Sequence, residues 1–241
     1  VVSIYSLLKN KRNIIENEHE LFNYNINIGN TIEHMRSLAE KHIVARHRKN
    51  TSSIFKNCKK NWHNLKKIDR YIRDVPDRLL SLVPSAQWLV DNFYVINRET
   101  RVIRMNFNRN FYKRLPTLKN SRLKGLLRIY SVAGEMLNAT DMHMDEENVV
   151  SLINAYQTVK PFSIAELWAF PNVLKISLIE RIYDISQNIT ESIMQKQKAD
   201  EIINEITEKT WHDSDEIIQR LINRVQRQDL LNPNFIAQIL Y

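Results

Sequence analysis

Apolar positions recur at intervals of three and four along most of the chain, and no run alternates with period two long enough to make a strand. Residues 1–30 are Asn-rich and weakly patterned and predict a loose N-terminal arm or short helix. From Thr31, the face Ile32, Met35, Leu38, Ala39 and His42 predicts a helix. The basic stretch 41–51 reads as a turn. A second helix follows, with the stripe Ile54, Phe55, Cys58, Trp62, Leu65 and Ile68. Pro76 and Pro84 punctuate the next stretch.

Pro84 suits the first position of a helix, where its missing N–H leaves nothing unsatisfied. That helix is expected to run from Ser85 to about Met105, with Trp88, Val95, Ile96, Val102 and Ile103 on one side. Residues 106–121 read as a loop and 123–137 as a helix carrying Gly125 and Gly134. Asp145 is placed to cap a helix whose inner side holds Val149, Leu152, Ile153 and Tyr156. Ser163 and Glu166 have capping-box spacing. Pro171 is expected to break or kink the helix they start, with a long helix then spanning about 172–209 on Ile182, Ile185, Ile189, Ile193, Ile202, Ile203 and Ile206. Asp213 to Glu216 form a second box, and Asn232-Pro233 starts a last helix. The fold class is therefore all-α, a bundle of about eight helices with no substantial β-sheet. Residues 31–241 form the helical domain, with a sub-boundary near 76–84.

Composition narrows the chemistry. Three glycines in 241 residues leave no phosphate-cradling loop and argue against Rossmann and P-loop folds. One cysteine, Cys58, makes no internal disulfide and fits a reducing compartment. The apolar runs fall far short of the ~20 residues that span a bilayer, and basic residues follow the apolar start rather than precede it, unlike a secretory signal. The chain begins with Val, and we expect it to be a piece of something longer.

Net charge is +8, but it is unevenly spread: residues 36–130 carry +17 and residues 131–241 carry −8. Such polarity suits a surface facing phosphate, anionic lipid or an acidic partner, or two halves that neutralise each other. Lys56, Lys59, Lys60, Lys66, Lys67, Arg70 and Arg73 interleave with Phe55, Trp62 and Tyr71. The aromatics fall on the apolar face, which disfavours a stacking platform for nucleic acid and leaves an anionic membrane surface the better target.

Other constellations have plainer readings. Asp213-x-Asp215 has the form of a metal-holding pair, but it opens a helix, where carboxylates serve as caps. His19-Glu20 lacks a second histidine at metal spacing, and His42 and His47 fall on different helix faces. Glu166 beside Trp168 resembles an acid next to a sugar-stacking ring, yet Glu166 has no second carboxylate in sight. Capping accounts for the glutamate, and helical spacing places the tryptophan in the core. No catalytic or metal-ligating residue is assigned.

Several separate words, in order, carry a resemblance. They are Ile32-Glu-His-Met-Arg-Ser-Leu-Ala39; Ser85-Ala-Gln-Trp-Leu-Val-Asp-Asn-Phe-Tyr94 with Arg98, Arg101 and Arg104; and Phe111-Tyr-Lys-Arg-Leu-Pro116. Ala155-Tyr-Gln-Thr158, Pro161-Phe-Ser-Ile-Ala-Glu-Leu-Trp-Ala169 and Asn234-Phe-Ile-Ala-Gln238 continue them. Over about 30–241 the chain resembles the N-terminal region of the cyclic β-1,2-glucan synthase family, large bacterial membrane glucosyltransferases. Val83 and Ala165 depart from the family's usual Thr and Gly.

The resemblance implies a parent enzyme that uses UDP-glucose and a divalent metal, neither bound by this fragment. It implies a soluble helical segment on the cytoplasmic side of the inner membrane, ahead of the transferase and membrane modules and partnered by them. On that basis the fragment alone is not expected to be an enzyme. Asp91, Asn92, Tyr94, Arg98, Arg101 and Arg104 are expected to form a polar, partner-facing helix side, with Trp168 a candidate sugar contact. The competing expectation is an autonomous basic module for nucleic acid or an anionic membrane.

Overall fold

The computed structural model describes residues 28–45, 52–119 and 124–209. The arm before residue 28, His47, the capping box at Asp213 and the helix at Asn232 lie outside the described residues. Among the described residues there are eight helices: α1 (Ile28–Lys41), α2 (Ser52–Arg73), α3 (Asp77–Leu80), α4 (Pro84–Asn106), α5 (Arg109–Tyr112), α6 (Arg128–Ala139), α7 (Glu146–Val159) and α8 (Ile164–Lys209). The chain divides into two compact units, Val1–Asn64 with Asn92–Tyr183, and Leu65–Asp91 with Asp184–Tyr241.

In the first unit, α1 packs along α7 and touches α6. Met35, Ala39, Leu127, Val132, Met136, Leu152, Tyr156, Val173 and Ile179 are fully or almost fully buried there. The periodic faces expected for α1 and α7 are thus the buried ones, although Ile32, Leu38, Val149 and Ile153 sit half-buried at their margins. The second unit buries Leu65, Ile72, Leu79, Leu89, Ile189 and Ile193. Polar ties brace it: Tyr71 donates to Gln197 (2.7 Å), Arg78 to Asp200 (2.5 Å) and Lys196 to the Leu82 carbonyl (2.8 Å).

The helix starts follow local chemistry. Pro84 opens α4. The Asp145 side chain accepts from the Asn148 N–H at 2.7 Å. At α8 the capping box is reciprocal: Ser163 Oγ accepts from the Glu166 N–H (3.3 Å), and Glu166 Oε2 accepts from the Ser163 N–H (2.9 Å). α6 ends without glycine. Asp141 and Met142 adopt φ of 45° and 61°, and the Met142 N–H reaches back to the Leu137 carbonyl at 2.8 Å. The Asp141 N–H completes this Schellman motif on the Asn138 carbonyl at 3.3 Å.

Four expectations are corrected. First, the turn after α1 and the loop before α6 contribute β1 (Val44–Ala45) and β2 (Thr117–Leu118), an antiparallel pair in which Val44 faces Leu118. Two-residue strands carry no period to read. Second, the same loop contains α5, capped by Asn108, which accepts from the Asn110 and Phe111 N–H groups at 3.0 and 3.2 Å. Third, α6 begins at Arg128, because Gly125 at φ 86° turns the chain so that its N–H meets the Leu118 carbonyl (2.8 Å). Fourth, Pro171 lies within one continuous helix, α8. It removes one backbone donor at an exposed position, while Ala169, Phe170, Val173 and Leu174 around it are buried. Burial of that face outweighs one lost hydrogen bond.

Candidate functional site

The first unit contains a cavity of about 360 Å³. α2 supplies Phe55, Lys56, Cys58 and Lys59 at helical spacing, and α4 supplies Thr100, Ile103 and Arg104 in the same way. Phe107 and Arg109, around the start of α5, complete the lining. The Phe55 and Phe107 ring centroids are 3.5 Å apart, and Tyr112 meets Phe55 edge-on at 4.8 Å. Four cations therefore stand around a mostly apolar floor, and no carboxylate lines it.

The floor offers little reactive chemistry. The Thr100 hydroxyl donates to the Ile96 carbonyl at 2.8 Å. Burial, and then the Glu180 charge, pushes the Cys58 thiol up to about 12, so the sulfur stays protonated and weakly nucleophilic. Phe55 and Trp62, expected in the core, are only half-buried. Phe55 serves as a cavity wall. Trp62 donates to Asn97 (3.3 Å), and the Arg104 guanidinium lies 5.3 Å over its ring.

The residues expected to face a partner are distributed as follows. Tyr94, Arg98 and Arg101 form an exposed ridge on α4 at i, i+4 and i+7. Arg98 also pairs with Glu99 at 3.2 Å. Arg104 departs from the ridge toward Trp62. Asn92 is half-buried at the start of the first unit's share of α4. Asp91 belongs to the second unit, where it accepts from Gln87 at 2.9 Å. Trp168 is 77% exposed, which corrects its assignment to the core, and Ile164 one turn earlier is 72% exposed.

Two buried ion pairs escaped the sequence. Glu166 pairs with Arg128, and Glu99 pairs with Lys175 at 2.8 Å. Burial pushes the Glu99 carboxyl up, but the hydrogen bond and charge of Lys175, then the hydrogen bond from Arg98, hold it below its ordinary value. Tyr130 donates to Glu180, and burial followed by that contact raises its pKa. An arginine flanked by Leu126, Leu127 and Ile129 was the available hint for Arg128. Among the described residues no group of three or more His, Cys, Asp or Glu could hold a metal ion, and no helix is long and apolar enough to cross a membrane.

No family model matches the chain. Over 162 residues, 67% of its length, it is 30% identical to the cyclic β-(1,2)-glucan synthase NdvB of Rhizobium meliloti. The match covers 6% of that protein, so the chain spans a small part of the relative's length.

Proposed function

We propose that this chain, related to a cyclic β-(1,2)-glucan synthase, is a non-catalytic helical region of such an enzyme that positions its catalytic module. The observation that carries the reading is the match itself: 30% identity over most of this chain but over 6% of the relative. A segment of that kind is one part of a much larger synthase. In this reading the region lies N-terminal to the transferase, on the cytoplasmic side of the bacterial inner membrane, and the parent takes UDP-glucose with a divalent metal. The ridge Tyr94, Arg98 and Arg101 faces the neighbouring module, and Trp168 offers an exposed ring to the growing glucan.

The test compares the full-length synthase in membranes with the same protein lacking residues 1–241. Incorporation of labelled glucose from UDP-glucose is measured after both are shown to be made and inserted. Loss of synthesis, or glucan of altered length, supports the reading. The same product at the same rate overturns it.

A second reading, docking on an anionic membrane surface, is favoured by the +17 carried by residues 36–130. Binding of the chain to anionic but not neutral vesicles, weakened by salt, is its expected signature.

A further inference from the structure

We infer that the cavity between α2 and the end of α4 is a binding site for an anionic amphiphile, a hydrocarbon chain carrying a phosphate head. It goes beyond the role proposed above and does not depend on it. The floor is made of Phe55, Phe107, Ile103 and the Cys58 side chain, so an apolar body is what it desolvates well. The rim is made of Lys56, Lys59, Arg104 and Arg109, with no acidic residue among the lining groups. Among the described residues, the side chains of Lys56, Lys59 and Arg109 make no ion pair or hydrogen bond, and all three residues are exposed. By contrast, the buried Arg128 and the half-buried Lys175 each have a carboxylate partner. Lys56, Lys59 and Arg109 are thus left to an external anion, while Arg104 lies over the Trp62 ring.

The volume, about 360 Å³, falls at the small end of the roughly 300–1,000 Å³ usual for small-molecule sites. It suits a single chain. A nucleobase fits less well, because reading its edge needs several donors and acceptors in the floor. Here the Thr100 hydroxyl hydrogen is committed to the Ile96 carbonyl, and Cys58 presents a neutral thiol. A free inorganic anion would satisfy the rim and leave the apolar floor wet.

The test uses the whole 241-residue chain and three probes in titration calorimetry. Dodecyl phosphate has chain and anion, dodecyl maltoside has the chain alone, and inorganic phosphate has the anion alone. Dodecyl phosphate is expected to bind at one site, well ahead of both others. The exposed rim variants K56E/K59E and R109E, checked for unchanged circular dichroism, are expected to weaken it by about tenfold or more. The variant K67E/R70E makes the same charge change as K56E/K59E at exposed positions more than two turns further along α2, outside the cavity lining, and is expected to leave binding near wild type.

Equal binding of dodecyl maltoside or of inorganic phosphate overturns the assignment. So does equal weakening by K67E/R70E, or a single-stranded oligonucleotide that binds where dodecyl phosphate does not. A further arm separates the sources of the ligand. Rim-dependent binding to phosphatidylglycerol vesicles, added to dodecyl phosphate binding, identifies a membrane lipid. Dodecyl phosphate binding without it identifies a free amphiphile.

Discussion

Arg128 holds Glu166 in a fork: Nε donates to Oε1 at 2.8 Å and Nη2 to Oε2 at 2.5 Å, and both side chains are almost wholly withdrawn from solvent. The same guanidinium donates to the Pro161 carbonyl at 3.1 Å and lies 4.8 Å over the Phe162 ring, which stacks on Tyr156. Glu166 meanwhile closes the capping box of α8. One carboxylate therefore fixes both the start of the longest helix and its attachment to α6.

Removing one member leaves an uncompensated buried charge. Glu166→Gln and Arg128→Met are each expected to cost about 3–5 kcal/mol in urea unfolding. The double variant R128M/E166L, which leaves no charge behind, is expected to be more stable than either single variant. If the singles unfold at wild-type urea concentrations, the pair does not anchor α8.

His42 makes the fold acid-sensitive. Burial, then the charges of Lys160 and Arg128, lowers its pKa to about 4. Its Nδ1 shares a 2.9 Å hydrogen bond with the Tyr156 hydroxyl, and Lys160 holds its carbonyl at 2.5 Å. The unfolded chain takes up this proton near pH 6.5 and the folded chain only near 4. The stabilisation is whole above pH 6.5 and is lost as pH falls toward 4, by up to roughly 3 kcal/mol. His42→Gln, followed through the same pH range by urea unfolding, is expected to show a correspondingly shallower decline.

Cys58 is expected to be nearly inert in the folded chain. Its thiol, pushed up to about 12 and buried, exposes little thiolate at pH 8. Reaction with a disulfide reagent should be roughly a hundredfold slower, or more, than in urea. Equal rates in the two conditions would show a far more open thiol.

Trp168 separates fold from function. Its exposure predicts that Trp168→Ala changes stability by no more than about 0.5 kcal/mol. The role proposed above predicts that, in a full-length glucan synthase carrying this region, the same change lowers glucan yield by about two- to tenfold, with Trp168→Phe restoring much of it. Unchanged yield removes Trp168 from any contact with sugar.

Much of the helical framework was legible because its causes are local. Pro84, Asp145 and the Ser163–Glu166 box act on backbone groups within one turn of themselves, so their positions in the chain suffice to place them. The stripes of α1 and α7 mark their buried faces for the same reason, whereas on α2 only Ile54, Cys58 and Leu65 of the stripe are buried and Phe55, Trp62 and Ile68 are half-buried. The weaker features were illegible on the same grounds. β1 and β2 exist only because each has the other, and α5 is a single turn. Pro171 was misjudged because its local penalty was visible and the packing that overcomes it was not.

By itself the sequence determined an all-α chain with a concentrated basic segment, a relation to a glucan synthase, and the starts of α4, α7 and α8. The tertiary structure alone decided which charges are buried together and where a cavity opens. Arg128 finds Glu166, and Glu99 finds Lys175, across long stretches of chain. Phe55 and Lys59 meet Phe107 and Arg109 only when α2 lies beside the end of α4. Periodicity tells a helix which face to hide, but not against what. The partner is chosen by the joint packing of all the hidden faces, and the cation-rimmed cavity is a product of that packing.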